Sequence, residues 1–278
     1  MTLFGFIALA ALSGQAAAGA ADAPQPAVAP AQAAASPETP KPEEPAKPAA
    51  RHKPKRLRGC RVYASPAYRK MVRRWQTVPP IPKPKWRAGF RDLTMYSVNL
   101  GERIRLFPFT PDGALDPAAL SEIAKLLRDK NNDAIHDVAP RLVKLVYKLA
   151  VKFDVRQIAV ISGYRQPEGE EGGGHHADGS AIDIAFSGVR LPVLAQAARR
   201  LGHVGVGFYP TSGFVHLDVR EGRSFFWVDR SGPGQPNCLR PLGSELAFQS
   251  DGKWRSEADD PSPRRNRKGE IVDDTPRE

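Results

Sequence analysis

Asp183 stands inside a run that is otherwise apolar, Ala181-Ile182-Asp183-Ile184-Ala185-Phe186, and a carboxylate in such a strand constrains everything around it. A buried charge is costly unless it is paired or bound to a metal, so the fold has to bring a partner to this position. Candidates frame it on both sides. The run belongs to the pattern H-x-x-G-x-A-x-D that begins at His176, and F-V-H-x-D follows later as Phe214 to Asp218. Two imidazoles and a carboxylate, from His176, His216 and Asp183, make a typical catalytic zinc set that leaves one coordination position for water or substrate.

Each piece has a local geometric reading. Gly179 and the glycines before His175 let the chain turn sharply at positive φ, and Ala181, Ile182, Ile184 and Phe186 read as the strand that leaves this turn. From Gly213 to Val219 the residues alternate, so Phe214, His216 and Asp218 share a face and His216 and Asp218 can point into one cleft. His52, His136 and His203 are isolated and read as surface or packing residues.

The stretch from Ser162 to Asp183, SGYRQPEGEEGGGHHADGSAID, resembles the signature of the zinc D-alanyl-D-alanine peptidases and murein endopeptidases, whose fold hedgehog signalling domains share. Within that superfamily the likeness is to the murein endopeptidase K (YcbK-like) group. It covers roughly Thr94 to Trp227 and includes NLGERIRLFPFTPDGALDPAALSEIAKLLRD (99–129), VISGYR (160–165), GVGFYPTSGFVHLDV (205–219) and FFWVDRSGPG (225–234). The resemblance implies zinc on His176, Asp183 and His216, with Tyr164 and Arg165 facing the substrate. Chemistry supports that role for Arg165 independently, because a guanidinium holds a carboxylate through two parallel hydrogen bonds. Arg165 also follows the apolar strand Ile158–Ile161 and the turn at Ser162-Gly163, at a strand end where sites gather.

Two positions differ from the superfamily. Gly174 stands where serine is common two residues before the first histidine. Gly213 stands where many members carry the glutamate base of E-x-W-H, although G-F-V-H-x-D is also the form found in the YcbK-like group. The base is therefore unassigned. Asp218 is the first candidate for a catalytic role, with orientation of His216 as its other reading; His175 and then Glu168, Glu170 and Glu171 follow.

The rest of the chain indicates where this chemistry would occur. Residues 1–21 contain LFGFIALAALSGQAAA and read as a signal peptide, too short to span a membrane comfortably, with Ala18-Gly19-Ala20 as the cleavage site. No transmembrane anchor is expected after cleavage, and the protein is expected to be periplasmic or secreted. Residues 22–55 are rich in Ala and Pro and read as a disordered linker. Residues 56–90 form a basic, aromatic arm. Between Arg51 and Arg91 there are fourteen Lys or Arg and no Asp or Glu, which exceeds the whole net charge of +11. Residues 51–91 read first as a solvated linker or packing arm; as a binding segment in an exported chain they would meet acidic envelope polymers or anionic lipid headgroups rather than nucleic acid. Prolines 79, 80, 82 and 84 predict an arm that wraps the domain without a helix.

The folded domain is expected over 91–247. Tyr96–Leu100 and Arg103–Phe107 read as paired strands, Asp116-Pro117 as the cap of a helix through Leu127, Val138–Phe153 as an amphipathic helix and Pro192–Leu201 as a shorter one. Together they predict a single α+β domain, with helices packed on a mainly antiparallel sheet whose face carries the metal. The only cysteines, Cys60 and Cys238, can form one disulfide in an oxidising compartment, and residues 248–278 read as a disordered charged tail. The combined expectation is a zinc peptidase acting on cross-links or stem peptides of peptidoglycan, whether D,D- or L,D-. A metal-stabilised wall-binding module without activity is the alternative.

Overall fold

Period-two alternation gives the central sheet two faces of different character. In the computed structural model, which describes residues 62–167 and 174–275, Ile182 and Ile184 face the core together with Val204, Val206, Val215 and Leu217, and all six are buried. Burying each such side chain contributes roughly 1.5–3 kcal/mol, which offsets the cost of the polar residues carried on the opposite face. The alternating residues Asp183, His216 and Asp218 therefore fall together on that second face.

In chain order the elements are α1 (Pro66–Gln76), β1 (Trp86–Arg87), β2 (Phe90–Arg91), β3 (Leu93–Ser97), β4 (Arg103–Leu106), α2 (Pro117–Leu126) and α3 (Pro140–Lys152). There follow β5 (Ile158–Ser162), α4 (Gly174–Ala177), β6 (Ala181–Phe186), α5 (Leu191–Ala198), β7 (Val204–Tyr209) and β8 (Phe214–Val219). The last are β9 (Phe225–Asp229), β10 (Leu239–Pro241), α6 (Glu245–Lys253) and a 3₁₀ turn at Ser256–Asp259. Eight strands form one sheet in the order β10-β9-β7-β8-β6-β5-β3-β4, while β1 and β2 pair separately. Only the β3–β5 and β7–β9 pairs are parallel, so the fold is the expected α+β arrangement on a mainly antiparallel sheet. Parallel strands need a crossover, and α2 and α3 lie in the one between β3 and β5.

Helix signals in the sequence explain the packing. Asp116 caps α2 by accepting from the Ala118 N–H at 2.9 Å, with Pro117 at the first helical position. On α3 the repeat of Leu142, Leu145, Val146 and Leu149 is buried, and the helix begins at Pro140, two residues inside the expected start.

Two expectations are corrected. The basic arm does contain a helix: Ser65 Oγ accepts from the Tyr68 N–H at 3.1 Å, Pro66 opens the first turn, and Trp75 is buried in the core. The prolines from 79 onward act only after α1 has ended. The segment expected as a disordered tail is instead built onto the domain by its polar residues. Asp251 accepts from the backbone N–H groups of His203 and Ser224, and the buried Asp259 accepts from Arg141 at 2.6 Å and Trp254 Nε1 at 3.0 Å. Beyond it, Arg264 and Val272 exchange backbone hydrogen bonds with Gly89. Carboxylates that raise the charge of this segment serve as its anchors, a use that composition does not reveal.

Residues 1–61, 168–173 and 276–278 lie outside the described residues. These include the expected signal peptide, the linker, Cys60, and Glu168, Glu170 and Glu171. Cys238 is buried and is not a free thiol.

Candidate metal centre

Strand register places the central pair. Asp183 on β6 lies directly opposite His216 on β8, and His216 Nδ1 is 2.9 Å from Asp183 Oδ1. His176 arrives from the short α4, with Nε2 at 3.2 Å from His216 Nδ1 and 3.4 Å from Asp183 Oδ1. All three residues are buried, and one ligand atom from each lies within 4.8 Å of the others.

Hydrogen bonds on the far side of each imidazole set its orientation. His176 Nδ1 lies 2.6 Å from the Gly163 carbonyl oxygen and must donate to it, which leaves the Nε2 lone pair facing the cluster. His216 Nε2 lies 3.1 Å from Asp218 Oδ2, so its proton sits there and Nδ1 faces inward. Two inward imidazole nitrogens and an ionised carboxylate are the donor set that zinc takes, and the opposite nitrogens are held as metal-ligating histidines usually are.

The electrostatics follow from this crowding. Burial raises the Asp183 carboxyl, but the two histidines outweigh it and hold the group well below the usual carboxylate range. Burial lowers His216, but the hydrogen bonds it donates to Asp183 and Asp218 prevail and push it up to about 9, so without a metal Nδ1 carries a proton that an incoming ion would displace. For Asp218, burial is overcome by His216 and Arg220, and the net shift is downward.

Arg165 joins the cluster from the loop after β5. Its Nη2 donates to Asp183 Oδ2 at 2.6 Å and lies 3.0 Å from His176 Nε2, while its Nε donates to Ser162 Oγ at 2.8 Å. The Arg165 side chain is 54% exposed against 4% for Asp183, so the guanidinium lies on the solvent-open side of the site with the carboxylate beneath it. A cleft of about 580 Å³ opens here, lined by Asp183, Arg165, Tyr164, Phe214, Asn99 and Lys130 among others. Tyr164 reaches its wall and stacks on His136 at 5.0 Å.

Asp218 lies behind His216 and away from the ligand atoms. Its Oδ1 accepts from the Gly205 N–H at 2.9 Å and Arg220 Nε at 2.7 Å, while Oδ2 accepts from His216 and from Arg220 Nη2 at 2.7 Å. Of the two readings offered for Asp218, this arrangement favours orientation of His216, because both oxygens are committed behind the imidazole. His175 is also turned away, toward Ser180 Oγ at 3.2 Å and Asp218 at 3.8 Å. Gly213 has φ +83, and a Cβ there would sit 2.4 Å from Val72 Cγ1, so a glutamate would not fit this backbone.

Sequence reasoning missed Ser162, Arg220 and two aromatic residues on the same sheet face, Tyr209 and Trp227. Arg220 could have been found, because it continues the 214, 216, 218 alternation by one step. Trp227 belongs to β9, separated from β8 by β7, and only the strand order brings its ring 5.2 Å from that of His216.

The fold and this face define a class: an α+β domain whose mainly antiparallel sheet carries a buried two-histidine, one-carboxylate site beside an exposed arginine. Residues 85–225 match the family model described as Peptidoglycan L,D-endopeptidase MepK, and the chain belongs to that family. It is 34% identical over 141 residues to the probable peptidoglycan L,D-endopeptidase MepK of Haemophilus influenzae, covering 46% of this chain and 75% of the relative. It is 31% identical over 147 residues to the peptidoglycan L,D-endopeptidase MepK of Escherichia coli K12, covering 48% of this chain and 79% of the relative. No solved structure gives a significant match.

Proposed function

We propose that this chain is an exported zinc metallopeptidase that hydrolyses peptide cross-links or stem peptides of bacterial peptidoglycan in the periplasm or outside the cell. The observation that carries the reading is the His176, Asp183 and His216 cluster, with imidazole tautomers set for a metal and Arg165 at its open side. The names of the relatives support an L,D bond as the scissile one. Export rests on the apolar segment at residues 3–18.

His176 Nε2, His216 Nδ1 and Asp183 would hold the ion, and the mixed nitrogen and oxygen donors favour zinc. When bound, zinc polarises a peptide carbonyl and lowers the pKa of water toward about 7. Arg165 orients the substrate through a carboxylate or carbonyl, with Tyr164 beside it on the cleft wall. Asp218, itself held by Arg220 and the Gly205 N–H, fixes the His216 ring.

The test is digestion of purified peptidoglycan by the full chain, with chelator and zinc add-back, the released muropeptides being read by mass spectrometry. Cross-linked dimers should disappear, chelator should stop this, and zinc should restore it. Stoichiometric zinc without cleavage would support the alternative, a metal-stabilised wall-binding module, which Gly213 in place of the superfamily's glutamate favours. Asp218→Ala separates orientation from base chemistry. The expected result is about 10- to 100-fold weaker zinc binding, with cleavage largely restored at saturating zinc. Abolished cleavage at full zinc occupancy would instead make Asp218 the base.

The basic arm supports a second contact with the wall. On α1, Arg69, Lys70, Arg73 and Arg74 are exposed. Charge of this kind attracts acidic polymers and is screened by salt. Co-sedimentation with purified cell walls should fall when these four residues are changed to Glu and when salt is raised, and it should not respond to chelator.

A further inference from the structure

Tyr209 carries a hydroxyl on the sheet face that bears the cluster. It lies on β7 directly opposite Phe214, on the same face as His216 by strand parity, and its ring stacks on Phe214 at 4.4 Å. Val204 and Val206 of β7 point into the core, whereas Gly205, Gly207 and Tyr209 point the other way.

Gly207 explains how the hydroxyl is held. It is the partner of His216 in the β7–β8 ladder, and a Cβ there would lie 2.5–2.7 Å from the Trp227 ring. The bare backbone lets the indole lie across β7, 5.2 Å from the His216 ring, where its Nε1–H donates to Tyr209 Oη at 3.1 Å. Indole nitrogen only donates, so the tyrosine oxygen accepts here and its own proton is left to bond elsewhere. Burial raises the Tyr209 pKa, and both Asp183 and Arg165 act on it electrostatically, as expected of a group beside the cluster. The phenol is thus a neutral donor of fixed orientation.

We propose that Tyr209 donates a hydrogen bond to the carbonyl oxygen of the scissile peptide as that oxygen takes on negative charge, with Trp227 and Gly207 as its positioning residues. The inference rests on the peptidase reading above and adds a catalytic residue to it. When water attacks the carbonyl carbon, a C–O bond forms and the π pair moves onto the oxygen. The phenolic proton stays on Tyr209 throughout, so this contact neither supplies nor consumes one; the proton shed by the attacking water leaves to solvent through the open cleft, and the departing amine takes one from solvent as the C–N bond breaks. A preorganised donor at such an oxygen typically contributes about 10²–10³ in rate.

The test is Tyr209→Phe in the zinc-loaded full chain, because phenylalanine keeps the ring that stacks on Phe214. On a purified cross-linked muropeptide, kcat should fall about 10²-fold with KM within about threefold, zinc stoichiometry should not change, and the thermal midpoint should fall only by the few degrees that the lost Trp227–Tyr209 hydrogen bond accounts for. Binding of a phosphinate dipeptide, a tetrahedral mimic measured calorimetrically, should weaken by about the same factor. Trp227→Phe should show a smaller loss, and the double variant should be no worse than Tyr209→Phe alone. A wild type that cleaves, with Tyr209→Phe within about threefold of it, overturns the inference alone. Loss of zinc or of fold in Tyr209→Phe also overturns it, since the hydroxyl would then be structural. A wild type that binds zinc and cleaves nothing removes the peptidase reading and this inference together.

Discussion

On the proposed zinc-peptidase reading, Asp183→Asn is expected to give a folded chain that neither retains zinc nor cleaves peptidoglycan. The substitution keeps size and shape and removes the one negative charge among the three ligand side chains. Arg165 then keeps its position 3.0 Å from His176 Nε2 without its partner carboxylate, leaving the site net positive when a dication approaches. A carboxamide is also a weak zinc donor beside carboxylate, imidazole and thiolate. Zinc per chain after dialysis should fall from about one to near zero, and cleavage should fall by roughly 10³-fold or more, the scale on which metal-assisted catalysis operates. The midpoint of denaturant unfolding for the metal-free variant should separate this from misfolding. If zinc binding persists with Asp183→Asn, the ligand set proposed here is wrong.

Gly179→Ala is expected to be among the most damaging single-methyl changes in the domain. The backbone at Gly179 has φ +62, and the added Cβ would lie 2.0 Å from the Asp137 carbonyl oxygen and 2.8 Å from His136 Nδ1. The left-handed conformation alone costs a side chain about 1 kcal/mol. The larger part comes from the collision with a backbone oxygen, which cannot swing aside as the tip of a lysine could. The Gly179 carbonyl also accepts from the Ala139 N–H at 3.0 Å, just before α3 begins, so a shift here moves the helix start as well. A loss of about 3 kcal/mol or more is expected by denaturant titration. Zinc affinity should fall with it, because Gly179 joins the α4 turn carrying His176 to the strand carrying Asp183. A loss under about 1 kcal/mol would mean that this turn relaxes freely.

These two positions show what a single chain discloses before it is folded. Asp183 and Gly179 were legible because their local text is self-contradictory without a reason: a charge in an apolar run, and a glycine at a fixed offset from a histidine. His216 was legible through alternation. The choice between the two readings of Asp218 was not, because alternation gives the face of a strand but not the direction in which an imidazole turns, and His216 turns its Nε2 toward Asp218. Tyr209 and Trp227 were hidden by connectivity, since β9 pairs with β7 and their meeting depends on strand order. The C-terminal segment was misread because its anchors are individual carboxylates, and averaging over composition counts Asp251 and Asp259 as reasons for disorder. At α1 the prolines after Pro79 drew the reading away from Ser65-Pro66, an ordinary helix start.

The alternation along β8 has a consequence for how sequence length can vary. Phe214, His216 and Asp218 serve one side while Val215, Leu217 and Val219 serve the other. Replacing a residue disturbs one side at a time. Adding or deleting one residue between Pro210 and Gly213, with the ladder sliding to match, would turn valines and leucine toward the cleft and send the imidazole and carboxylate into the oily interior. A length change in this hairpin must therefore be absorbed in the turn and not in the ladder, because the candidate metal ligand and the hydrophobic layer share a single reading frame.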